Sequence, residues 1–134
     1  MNWYKTAKKE RKTMKDLIEE MAKASDKALD DKYDYGRAEK GTFGWECHVS
    51  SATKLYNLIK EGETDIEILA DASHDGWGDI AKIYDDPIYE DKPEKKEKRL
   101  ELANTKYKDL PEDEKEKDRV AARAVLKKYK ELKS

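Results

Sequence analysis

Cysteine occurs once in this chain of 134 residues, at Cys47, so no disulfide can form within it. Its fold must rest on burial and polar contacts, which suits a reducing compartment. Long apolar runs are missing too. None approaches the roughly 20 residues that span a bilayer, and the first fifteen residues are polar and lysine-rich, without an apolar signal core. A cytoplasmic protein with no membrane partner is expected. An excess of one charge is also lacking. The 29 basic and 31 acidic residues leave a net charge of -2 and are interleaved along the chain. Nucleic-acid binding needs clustered cations that displace counterions, so no nucleic-acid partner is expected. Only two histidines, His48 and His74, are present, too few for a metal phosphohydrolase built on a His-Asp pair.

Charge itself is abundant, with 45% of residues ionisable against 37% hydrophobic. Such a composition can signal disorder. Here the apolar residues are patterned and include three Trp and eight Tyr, which points to an ordered core. The spacing of Met14, Leu17, Ile18, Met21, Ala24 and Ala28 predicts a long amphipathic helix from about Trp3 to Asp30, with Trp3, Tyr4 and Ala7 extending its stripe. From Tyr33 to His48 the pattern stops. Gly36, Gly41 and Gly44 stand beside Tyr33, Tyr35, Phe43 and Trp45, which reads as an ordered aromatic loop.

Ser50 or Ser51 can then cap a short helix carrying Ala52, Leu55, Tyr56 and Ile59, ended by Gly62. Thr64 with Glu67 forms a capping-box pattern before a third helix, which carries Ile66, Leu69, Ala70, Ser73, Trp77, Ile80, Ala81 and Tyr84. Gly76 and Gly78 inside it each cost about 1 kcal/mol relative to Ala. They call for a backbone or a ligand at close range. Two Asp-x-Pro-Glu starts, at Asp91 and Asp109, open the last two helices. The final stripe is Ala121, Ala122, Val125, Tyr129 and Leu132. The expectation is one all-α domain over 1–134, with a helix and aromatic loop in 1–48 and a helical core in 49–134.

Two places invite a functional reading. Asp118 falls in line with the last apolar stripe, with Lys115, Arg119 and Arg123 near it. A buried carboxylate there either ties helices together or walls a polar pocket. His74 and Trp77 share a helix face, either as a core pair or as a stacking platform with a polar handle.

The segment from Leu69 to Tyr129 resembles the ryanodine-receptor repeat, or RyR domain. His74-x-x-Trp77 is similar to that family's His-x-x-Trp helix. The run from Tyr107 through Leu110 and the acids to Lys115-x-x-Asp118-Arg119 is similar to its second signature. Two intervening family elements are replaced here by 84–89 and 102–107. The resemblance implies a compact helical, noncatalytic module, of the standalone bacterial or phage type, that recognises a nucleotide-derived small molecule. It implies His74, Trp77, Tyr107, Lys115, Asp118, Arg119 and Arg123 as ligand-binding residues, with no catalytic residue, metal or cofactor. In that reading Trp77 or Tyr107 stacks on a base, and Lys115, Arg119 or Arg123 meets phosphate. A structural or protein-interaction module is the alternative, and the first helix then offers a face for a partner or for homo-oligomerisation. A helical nucleotide hydrolase with Glu19, Glu20, Glu67 and Asp71 around magnesium is a lesser one.

Overall fold

In a computed structural model, described over residues 13–83 and 92–134, five α-helices form a bundle: α1 (Met14–Tyr33), α2 (Phe43–Lys60), α3 (Ile66–Ile83), α4 (Pro93–Ala103) and α5 (Glu112–Lys133). A 3-10 turn at Tyr107–Asp109 joins the last two. No strand occurs among the described residues. None of their helices is long and apolar enough to cross a membrane. The main contacts pair α2 with α3 and α1 with α5, and α3 also meets α4 and α5.

Each helix starts for a local reason. Thr13 caps α1 in a reciprocal box with Asp16, which satisfies two orphan donors. The expected beginning of this helix at Trp3, with Tyr4 and Ala7, lies outside the described residues. The stripe of α1 buries Leu17, Ile18 and Met21, then continues through Ser25 and Asp26, while Met14 is exposed. Asp34, in the left-handed region with φ 57°, closes the helix through a bond to the Asp30 carbonyl.

The expected aromatic loop is shorter than Tyr33–His48. Thr42 accepts from the Trp45 N–H at 3.3 Å and caps α2, so Phe43, Trp45 and His48 are helical. Ser50 and Ser51 are therefore not caps. Their hydroxyls donate across to α3, to the Gly76 and Ser73 carbonyls, both at 2.8 Å. Thr64 and Glu67 form no capping box. Asp65 holds the Glu67 N–H at 2.8 Å instead, which leaves the Glu67 side chain for tertiary contacts. Pro93 and the acids after Pro111 open α4 and α5 as their sequence patterns predict. Residue 48, where the expected loop gives way to the expected helical core, lies inside α2, and one apolar cluster contains Met21, Leu55, Leu69 and Val125.

The two glycines of α3 have packing reasons. A Cβ on Gly76 would come within 2.5 Å of Ser51 Cα and 2.7 Å of its nitrogen. On Gly78 it would lie 3.2 Å from the Ala103 carbonyl oxygen. The first is a backbone-on-backbone contact that no rotamer change relieves. Gly76→Ala is expected to destabilise the fold by about 1–3 kcal/mol, overriding the roughly 1 kcal/mol gain in helix propensity. Chemical denaturation would show it. A stabilised variant would mean that α2 and α3 can separate without loss.

Candidate functional site

The polar residues on the inner faces of the helices converge on one cavity of about 530 Å³. Each element contributes. Ser25 and Leu29 come from α1 and Tyr35 from the loop. Phe43, Gly44, Cys47, His48 and Ser51 come from α2, and Ser73, His74 and Trp77 from α3. Lys95, Lys98, Arg99 and Leu102 come from α4, Leu110 precedes α5, and Glu114, Lys117, Asp118 and Ala121 come from α5 itself. That volume lies within the range of small-ligand pockets.

One side of the cavity is built on the helix spacing of His74 and Trp77. Their rings stack with centroids 5.8 Å apart and planes 25° from parallel. His74 Nε2 lies 2.7 Å from the Thr105 carbonyl oxygen. A carbonyl only accepts, so Nε2 carries the proton. Nδ1 then faces Asp118 Oδ2 at 3.6 Å. The Asp118 side chain is only 16% exposed. Burial pushes its carboxyl up to about 8, and the nearby Glu114 charge adds to the rise. Lys117 opposes that rise, while Asp71 and Asp75 reinforce it. At neutral pH Asp118 therefore keeps its proton, and the cavity holds a carboxyl that can both donate and accept.

A second buried polar group joins α1 to α2. The Ser25 hydroxyl lies 2.9 Å from His48 Nδ1, and His48 Nε2 lies 3.6 Å from Asp26 Oδ1. Burial pushes the His48 imidazole below its ordinary range, the dominant influence on it. Asp26 also binds Arg37 Nε at 2.9 Å and the Ala38 N–H at 3.0 Å, which pins the loop that carries Tyr35. Cys47 and His48 are adjacent in sequence, but it is Ser25 that the imidazole meets.

The third group is cationic. Lys95, Lys98 and Arg99 stand at i, i+3 and i+4 on α4, one face of a helix, and all three line the cavity. Arg99 is buried, 6% exposed, with its guanidinium 4.8 Å from the centre of the Phe43 ring. Across the cavity Lys117 pairs with Glu114 at 3.2 Å and lies 5.8 Å from the Tyr35 ring centre.

Of the residues singled out in the sequence, His74, Trp77 and Asp118 meet in this cavity. Tyr107, Lys115, Arg119 and Arg123 do not line it. They form a separate network where α3, the 3-10 turn and α5 join. The Tyr107 hydroxyl donates to Glu67 Oε2 at 2.6 Å, and Arg119 Nε donates to Glu67 Oε1 at 2.6 Å. Arg119 also bonds Glu112, and Arg123 bonds Glu116 at 3.0 Å. Lys115 lies 5.8 Å from the Tyr107 ring centre. Hydrogen bonds from Tyr107 and then Arg119 hold the Glu67 carboxyl below its ordinary range. Burial, then the Glu67 bond, pushes the Tyr107 phenol up. The carboxylates considered for magnesium do not converge. Glu67 is held in this network and Glu19 pairs with Lys40. Among the described residues no group of three or more His, Cys, Asp or Glu is placed to hold a metal.

Sequence reasoning missed Ser25, Phe43, His48, Lys95, Lys98, Arg99 and Lys117. The 95/98/99 spacing was a readable signal. In so lysine-rich a chain it looks like an ordinary solvated face.

The raised Asp118 carboxyl makes stability depend on pH. Its folded value lies well above the roughly 3.9 of an unfolded aspartate. The unfolded chain therefore releases this proton first, and its contribution to stability declines as pH rises from about 4 to about 8. Asp118→Asn removes the titration. The variant is expected to be more stable than the parent at pH 9 by on the order of a few kcal/mol, with a smaller gap at pH 5. Denaturation at the two pH values measures this, and a variant that is weaker at pH 9 would show that the fold favours the ionised carboxylate. Compared with known proteins, the chain matches no family model, no curated protein and no solved structure.

Proposed function

We propose that the protein is a noncatalytic binding module whose central cavity takes a small nucleotide-derived ligand. The observation that carries this reading is the make-up of the cavity. A stacked His74–Trp77 pair, a protonated carboxyl and a row of cations share one space of about 530 Å³. Trp77 offers a π-face to a base, an interaction worth about 1–3 kcal/mol. Asp118 presents donor and acceptor together to a base edge or a ribose. The basic side chains of α4 and Lys117 supply charge-assisted bonds to phosphate. These replace Lys115, Arg119 and Arg123, whose bonds run to Glu67, Glu112 and Glu116 or to the Tyr107 ring. The resemblance of 69–129 to the RyR repeat supports the same reading, and it also implies a cytoplasmic setting.

The alternative is an interaction module with no small ligand. The Glu67–Tyr107–Arg119 network favours it to this extent, that two of the seven expected binding residues, Tyr107 and Arg119, knit helices together. On that reading the outer face of α1 meets a partner or a second copy.

A thermal-shift screen tests the proposal, using adenine nucleotides, ADP-ribose and its cyclic forms, and cyclic dinucleotides. A ligand present at 100 times its Kd should stabilise the fold by about 2.7 kcal/mol. Trp77, which is only half-buried, can then be replaced. Trp77→Ala is expected to abolish the shift while the helical circular dichroism persists, and Arg123→Gln to leave it unchanged. No shift across the panel, or loss of helix in Trp77→Ala, would favour the interaction module.

A further inference from the structure

Besides the stacked rings and Asp118, the cavity holds a polar pair on its α1–α2 wall. Ser25 stands in the stripe of α1 that buries Leu17, Ile18 and Met21, and it is 2% exposed. Its hydroxyl lies 2.9 Å from His48 Nδ1 and, among the described residues, has no other hydrogen-bond partner. Both residues line the cavity. As a tie between two helices the pair gains little, because two apolar side chains of the same shape would serve about as well.

The direction of the hydroxyl is set from behind the cavity wall. His48 Nε2 faces Asp26 Oδ1 at 3.6 Å. That is too long for a hydrogen bond, but close enough for the carboxylate to favour the tautomer with its proton on Nε2. Asp26 is itself fixed by Arg37 Nε at 2.9 Å and by the Ala38 N–H at 3.0 Å. Burial holds the imidazole below its ordinary range, so the ring carries no charge at neutral pH. A neutral ring protonated at Nε2 only accepts at Nδ1. The Ser25 O–H therefore donates to His48, and only the lone pairs of Oγ remain for anything else. A serine so committed accepts a hydrogen bond and cannot give one. Asp118, whose protonated carboxyl does both, makes no such demand.

We infer that Ser25 is a ligand-binding residue that accepts a hydrogen bond from an O–H or N–H of the cavity's ligand, with His48 as the residue that positions its hydroxyl. The inference rests on the nucleotide reading of the cavity and adds the polarity the ligand must show at the α1–α2 wall. In a nucleotide the donor is a sugar hydroxyl or an amino group of the base. An analogue without it leaves the serine lone pairs without a partner in a site closed to other donors, and binds less well for that reason.

Calorimetric titration of the full chain tests this with matched probes that differ by one donor. The 5′-monophosphates of adenosine, guanosine, cytidine and uridine are each set against their 2′-deoxy and 3′-deoxy forms. Purine riboside and inosine 5′-monophosphates stand for the adenosine and guanosine compounds without the amino group. Ribose 5-phosphate is set against 2-deoxyribose 5-phosphate. In the parent one analogue is expected to bind about tenfold or more weakly than its counterpart, a gap of about 1.4 kcal/mol, and the pair that shows it names the donor. In Ser25→Ala the gap should shrink to about threefold or less. Ser25→Cys, close to serine in size and only a weak acceptor, should do the same, and melting temperatures check that the variants fold. His48→Asn, whose amide oxygen can take the hydroxyl proton, should keep the gap, and His48→Leu should close it. A gap that survives in His48→Leu overturns the part given to His48. Equal affinities within every pair in the parent overturn the inference and leave the nucleotide reading in place. A gap that persists in Ser25→Ala or Ser25→Cys also overturns it, because the acceptor then lies elsewhere. A gap between the pentose phosphates that Ser25→Ala closes, with no nucleotide bound, upholds the inference and removes the nucleotide reading. No binding by any probe overturns both.

Discussion

The backbones of α2 and α3 meet where Gly76 lies against Ser51, at a distance that no Cβ could share. Much of the arrangement depends on that contact. It brings Ser50 and Ser51 within reach of α3 carbonyls, so two hydroxyls that would otherwise seek caps or water bind across the interface. It also sets the face of α3 that carries Ser73, His74 and Trp77 against the cavity. One turn after Trp77, Ala81 is buried, and Gly78 lets α4 approach through Ala103. A missing side chain at one position thereby fixes which residues of three helices look at one another.

Polar groups inside this bundle fall into two kinds. The Glu67–Tyr107–Arg119 network is saturated, since each group has a partner of opposite character from another part of the fold. It fastens α3 to α5. The cavity is different. His74 uses Nε2 on Thr105 and turns Nδ1 toward a carboxyl that burial keeps protonated. The inner face of α4 gathers like charges. The saturated network costs nothing further when a ligand arrives. The cavity retains hydrogen-bonding and electrostatic capacity that a ligand can use.

The helices were legible from local signals. Apolar spacing marked the stripes of α1, α3 and α5, the Asp-x-Pro-Glu starts marked α4 and α5, and Gly62 marked the end of α2. Errors came where two local signals competed. Ser50 and Ser51 resemble caps, yet Thr42 lies ahead of an unbroken helical run that includes Trp45, which is buried. Thr64 and Glu67 fit a capping box, yet Asp65 is one residue nearer the helix start, and its side chain takes the Glu67 N–H. Asp118 was identifiable because it sits in register with an apolar stripe. The roles of Arg119 and Lys98 were not, because a cation on a charged helix reads the same whether it meets a carboxylate or a cavity.

The sequence by itself determined the helical class, the approximate number of helices and the candidacy of His74, Trp77 and Asp118. Those follow from spacing within a few residues, and helix geometry makes such spacing unambiguous. Only the tertiary structure decided that these three face Lys95, Lys98 and Arg99 rather than Arg119 and Arg123, and that Asp118 keeps its proton. Both depend on how far helices distant in sequence stand from each other and on how much water remains between them. Neither the separation nor the burial is written in any local stretch of the chain.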